Sequence, residues 1–132
     1  MYIHFFGDGR DTDPGSGVGH MKTLLAKAQE IGIGEIATVV GRYYIMDRDK
    51  RWDRVEVGMK AVVVGEGEES SDPVKTMEER YSNDETDEFL KPIIVGGKER
   101  RVQGQSKSRL GICLYFLTRC RQRHPLLLQL PL

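Results

Sequence analysis

Two short stretches of the chain set arginine and aspartate side by side, just after an apolar run. In the first, Tyr2 to Phe6 leads through Gly7-Asp8-Gly9 into Arg10-Asp11. In the second, Ile36 to Val40 leads through Gly41 into Arg42, and Asp47-Arg48-Asp49 follows. A guanidinium group presents planar donors that can bond two oxygens of a phosphate or carboxylate at once. In open α/β sheets, ligands sit outside the carboxyl ends of the strands, which is where both pairs fall. The chemistry implied is recognition of a small anion, with Arg10, Asp11, Arg42 and Arg48 as the candidate binding residues.

Each candidate has a plainer reading. Arg10 and Asp11 could form a surface ion pair, an interaction that contributes well under about 1 kcal/mol. The run Asp47-Arg48-Asp49-Lys50-Arg51 could be a solvated helix start. Arg42 is harder to set aside, because it sits at a strand end behind a glycine that opens space for a ligand. Lys50, Arg51 and Arg54 read as surface or supporting residues, and Tyr43 and Tyr44 as packing for the loop. Asp8 is expected to brace the turn, with support of Arg10 as a lesser role. His4, flanked by Ile3 and Phe5, reads as a satisfied core histidine, and neither His20 nor His124 has a partner at ligand spacing. The glycines at 15, 17 and 19 lack the spacing of a phosphate-cradling loop, and no strand directly precedes them.

The elements that must position these residues follow from periodicity. Tyr2 to Phe6 and Ile36 to Val40 are nearly continuous apolar runs, as in strands buried on both faces of a parallel sheet. Between them Val18, Met21, Leu24, Leu25, Ala28 and Ile31 repeat at helical spacing from a start near Ser16, and Gly32 and Gly34 end the helix. Strand, helix and strand make one βαβ unit, right-handed by the general rule. Trp52, Val55, Met59, Val62 and Val63 predict a second helix, broken by Gly65 to Glu69. Asp72 as N-cap and Pro73 at the first helical position open a third, with Val74, Met77 and Tyr81 as its apolar residues. Asn83 to Glu88 reads as a polar loop, and Phe89 to Val95 as an extended segment interrupted by Pro92. Two strands are too few for an independent sheet with helices on both faces, so the class is α/β and the unit a piece of a larger domain.

Within 132 residues the formal charge is zero, but its distribution is not even. All 20 acidic residues lie between Asp8 and Glu99 with 13 Lys and Arg, a net of −7, while residues 100–132 carry +7 and no acid. Those residues also hold Cys113 and Cys120 and end in a Leu-rich run. Two cysteines give neither a zinc site nor a disulfide framework. Leu110 to Leu117 falls short of the roughly 20 apolar residues that span a bilayer. The opening residues enter a strand rather than a signal peptide, so the cytoplasm is the expected compartment.

The segments Phe6-Gly7-Asp8-Gly9-Arg10-Asp11-Thr12, Glu35 to Val55 with Gly41-Arg42-Tyr43-Tyr44-Ile45-Met46-Asp47-Arg48-Asp49-Lys50-Arg51-Trp52, and Thr86 to Val95 resemble cofactor-independent (2,3-bisphosphoglycerate-independent) phosphoglycerate mutase. The resemblance covers residues 1–97 and implies a partial transferase domain from a parallel-sheet α/β enzyme. It implies an isomerase that interconverts 3-phosphoglycerate and 2-phosphoglycerate in glycolysis, with a small-molecule substrate, no nucleic-acid or membrane partner, and a monomeric state. Arg10, Arg42 and Arg48 would bind the substrate's anionic oxygens, and Asp11 would accept a hydrogen bond from its hydroxyl. The family's two manganese ions and phosphorylated serine belong to a phosphatase domain absent from these residues, so neither a catalytic nucleophile nor a metal ligand is assigned here. Residues 98–132 are expected to be foreign to the fold and to lack fixed packing. The alternative is a non-catalytic anion-binding or interaction module, from a truncated isoform or a mis-predicted gene.

Overall fold

The computed structural model describes residues 1–102. Its centre is a four-stranded mixed sheet in the order β1-β2-β4-β3, with β1 Tyr2–Gly7, β2 Glu35–Gly41, β3 Glu68–Ser70 and β4 Ile93–Val95. β1 and β2 are parallel, with the register shifting by one residue between Ile3 and His4 and bringing Gly7 opposite Gly41. β4 runs antiparallel to β2, and β3 runs parallel to β4. Four strands are therefore present where two were expected. β4 is a three-residue strand buried at the heart of the sheet, and β3 is a polar edge strand whose glutamates face solvent. Neither is long enough to show a period in sequence.

Helix α1, Gly17–Ile31, crosses from β1 to β2 and ends at Gly32, whose φ of 75° lets its N–H reach back to the Ala28 and Gln29 carbonyls. On the same face of the sheet lies α4, Pro73–Tyr81, opened by the Asp72 side chain accepting from the N–H groups of Val74 and Lys75. Ile3, Phe5, Val18, Met21, Ile36, Val39, Met77 and Leu90 form the main core between these helices and the sheet. A smaller cluster of Val40, Ala61 and Ile94 closes the opposite face, with Phe6, Tyr44 and Ile45 against it. Those last two side chains come from α2, Arg42–Ile45, which follows β2 without a break. Helices on both faces of a sheet make a three-layer α/β unit.

Helix α3, Trp52–Met59, continues as a π-helical turn over Lys60–Val64. Of the apolar stripe read from sequence, Val62 is buried, while Trp52, Met59 and Val63 are exposed. Gly58, Ala61 and Val62 are its buried residues, and at Gly58 the Tyr44 carbonyl of α2 comes too close for any larger side chain. The packed body also extends past Gly97. Arg100 pairs with Glu35 at 2.7 Å and donates to the Ile36 carbonyl, and the Val102 N–H donates to the Val62 carbonyl. The expectation for the rest of the basic, Leu-rich segment lies outside the described residues.

Candidate functional site

The register that sets Gly7 beside Gly41 makes neighbours of the residues that follow each strand. Asp8 leaves β1 as Arg42 opens α2, and the Arg42 Nη1 donates both to Asp8 Oδ1 and to Asp11 Oδ2, the latter at 2.9 Å. The arginine is largely enclosed, Asp8 is partly so, and Asp11 faces solvent with 55% of its side chain exposed. Asp8 thus serves Arg42, not Arg10, which corrects the lesser role expected for it. The Asp11 carboxyl is held below the usual carboxylate range, chiefly by its hydrogen bond from Arg42, with the charges of Arg42, Arg10 and Arg48 adding to the effect. Arg42 in turn holds its proton more tightly, first through the bond to Asp11.

Arg10 is exposed and makes a loose ion pair with Glu88 at 3.9 Å. Arg48 is exposed in the loop after α2, close enough for its charge to act on Asp11. Of the four residues singled out from sequence, Arg42 and Asp11 meet directly beyond the carboxyl ends of β1 and β2, Arg10 is Asp11's chain neighbour and turns to Glu88, and Arg48 reaches Asp11 through its charge alone. Such a cluster can hold a multiply charged anion and leave one acceptor free for a hydroxyl.

What keeps the two strand ends at this spacing is a 3₁₀ turn, Asp87–Phe89, wedged across them. A Cβ on Gly41 would collide with the Glu88 carbonyl and stand 2.7 Å from the Leu90 nitrogen, and one on Gly7 would lie 2.6 Å from the Asp87 carbonyl oxygen. The Gly41 N–H donates to the Leu90 carbonyl at 2.8 Å. The space left by these glycines is filled by the chain's own backbone and not by a ligand, contrary to the sequence reading of Gly41. Asp87 itself is buried and accepts hydrogen bonds from the Gly17 N–H at 2.7 Å and from the Tyr81 hydroxyl. The start of α1 thus receives an internal carboxylate. Burial raises the Asp87 carboxyl above its usual value, against the pull of those two bonds, and the Tyr81 phenol is also raised, first by burial. Sequence reading passed over Asp87 as part of a polar loop. The only local signal was the tyrosine six residues earlier on an otherwise core-facing stripe.

A second arrangement steadies the Arg48 loop. The Asp47 carboxylate is buried and accepts from the N–H groups of Asp49 at 3.1 Å and Arg51 at 2.8 Å, and Arg54 lies 3.6 Å away. The Arg54 guanidinium stands 4.0 Å above the Tyr43 ring, which also contacts Tyr44 and Phe89. Tyr43 packs the loop, as expected. Arg54 supports it from beneath and is more enclosed than a surface residue. His4 is buried with Nδ1 2.9 Å from the Thr38 hydroxyl, and burial lowers its pKa. That is the satisfied core histidine expected.

Comparison with known proteins bears on the whole of this region. The family model described as the BPG-independent PGAM N-terminus matches residues 1–117. The 2,3-bisphosphoglycerate-independent phosphoglycerate mutase of Onchocerca volvulus is 52% identical over 108 residues, covering 80% of this chain and 21% of that protein. The enzyme of that name from Caenorhabditis elegans is 54% identical over 106 residues, covering 78% and 20%. Among solved structures, a Leishmania mexicana phosphoglycerate mutase studied at low cobalt concentration is similar with a TM-score of 0.62 and 30% identity, covering 78% of this chain and 20% of that one. The chain spans about a fifth of the length of the curated relatives it matches. With a family model matched over most of its length, and with its strand-end arginines set in that matched region, this chain belongs to the 2,3-bisphosphoglycerate-independent phosphoglycerate mutase family.

Proposed function

We propose that this chain supplies part of the substrate-binding transferase domain of a phosphoglycerate mutase, an isomerase that interconverts 3-phosphoglycerate and 2-phosphoglycerate in cytoplasmic glycolysis. The observation that carries the reading is the Arg42–Asp11 pair across the ends of two parallel strands, with Arg10 beside Asp11 in the same turn. The substrate bears a phosphate and a carboxylate, and three guanidinium groups can neutralise both. Arg42, braced from beneath by Asp8, supplies a fixed direction of approach, while the exposed Arg10 and Arg48 can follow the ligand as it turns. Asp11, held ionised by its neighbours, is suited to accept the substrate hydroxyl's hydrogen and aim the oxygen lone pair at the phosphoryl group. Phosphoryl transfer depends mainly on such positioning and charge neutralisation.

On this reading the family's manganese would belong to a phosphatase domain outside this segment. Among the described residues no three His, Cys, Asp or Glu side chains come together as a cation would require. Among the same residues no helix is long and apolar enough to cross a membrane.

The test is Arg42→Ala in a full-length enzyme that carries this segment. Loss of a charge-assisted hydrogen bond of roughly 1.5–3 kcal/mol should lower kcat/KM by about ten- to a hundredfold. Wild-type kinetics would remove Arg42 from the site.

A further inference from the structure

Arg42 Nη1 serves two carboxylates, and their surroundings differ in a way that assigns them opposite tasks. Asp8 is mostly enclosed, and its second oxygen, Oδ2, is buried without a hydrogen-bond partner among the described residues. A carboxylate with one dry, unpaired oxygen is a poor source of stability. It is, however, a fixed anchor for the one guanidinium it touches. Asp11 lies on the outer side of the same nitrogen, exposed, in a turn tied by the Gly9 N–H to the Thr12 hydroxyl. Of the two carboxylates on Nη1 it is the more exposed to solvent, from which a ligand would arrive.

We propose that Asp8 is the positioning residue for Arg42, and that Asp11 is a displaceable placeholder that occupies the anion's position on Arg42 until ligand arrives. The inference rests on the reading that this site takes phosphoglycerate. Binding then exchanges one ion pair for another: the ligand's anionic oxygen replaces Asp11 Oδ2 on Nη1, and Asp11, released but still flanked by Arg10 and Arg48, becomes free to accept the ligand hydroxyl. The Asp8 bond persists throughout. The exchange keeps Arg42 paired in both states, so the enclosed cation is never left without a counter-charge.

The experiment is a titration of the 132-residue chain with 3-phosphoglycerate, followed by carboxyl carbon and arginine side-chain NMR shifts. The Asp11 carboxyl and Arg42 signals should move on binding while Asp8 stays in place. Asp11→Asn should bind about two- to fivefold more tightly, the range an exposed ion pair supports, and Asp8→Asn should bind roughly tenfold more weakly, as for a lost charge-assisted bond. Simple electrostatics predicts that removing either negative charge tightens binding, so the opposite signs are diagnostic. If both variants tighten, or if Asp8 shifts and Asp11 does not, the division of tasks is overturned. The shift pattern in the unmodified chain decides the matter even if Asp8→Asn fails to fold. Absence of any binding by the unmodified chain would instead overturn the functional reading, and this inference with it.

Discussion

Asp11 and Asp87 are both carboxylates at the carboxyl ends of β1 and β2, and their environments push them in opposite directions. Asp11 stands in solvent among three arginines, and its carboxyl is pulled below the usual range. Asp87 is buried beneath the same strand ends and is pushed above that range by desolvation, with an amide N–H and a phenol as its hydrogen-bond partners. Charge governs the outer region and desolvation the inner one. A pairing of the outer kind can be reorganised at small cost, whereas the inner one holds the scaffold that the proposed exchange would require.

The sharpest way to break this contrast is Asp87→Ala. Two hydrogen bonds are lost and the Gly17 N–H and Tyr81 hydroxyl are left buried, so stability should fall by about 2–4 kcal/mol, read by chemical denaturation. A change within 0.5 kcal/mol would mean that the inner carboxylate holds nothing.

The pH dependence of stability should separate the two residues by sign. A folded-state pKa above the unfolded one means that the native state binds more protons, so the Asp87 contribution declines as pH rises from about 4 towards its raised value. Asp11 behaves conversely: its contribution is present above about pH 4 and is lost as pH falls towards its lowered value. Thermal unfolding across acidic pH should show Asp87→Asn flattening the first trend and Asp11→Asn the second. Equal effects of the two substitutions would erase the distinction.

The smallest expected effect concerns the loop between these regions. Arg54→Lys keeps a positive charge near Asp47 but removes the planar group from the Tyr43 ring, at roughly 0.5–1 kcal/mol. A loss above about 2 kcal/mol would place that loop with the inner region.

Legibility in the sequence followed the range of the interactions. β1, α1 and β2 were readable because their apolar residues repeat over five or more positions, and α4 because Asp72 and Pro73 are adjacent. The arginine pairs were readable because each follows a strand directly. β3 was not, since Glu68-Glu69-Ser70 carries no apolar signal; β4 fell within the extended segment read at Phe89 to Val95, but three residues are too few to declare its pairing with β2. The helix of α3 was legible in its apolar repeat, but not that Gly58 and Ala61 pack beside Val62, because the close approach of α2 at Gly58 is a tertiary fact. Asp87 was invisible as a buried group because its burial depends on Gly17, 70 positions earlier. Asp8 reads in sequence as a brace for its own turn, and its bond to Arg42 is not legible for a similar reason: that partner lies 34 positions away across the sheet.

The wedge formed by Asp87 to Leu90 has a consequence for the order in which the site comes into being. The Gly41 amide waits for the Leu90 carbonyl, and the α1 terminus waits for the Asp87 carboxylate. Both strands and both arginine loops leave the ribosome well before those partners, and a long-range contact can form only after its loop closes. During synthesis the βαβ unit is thus born with its two arginine-bearing loops unbraced, and a nascent chain arrested before Leu90 would carry every predicted ligand-binding side chain without the turn that fixes their spacing.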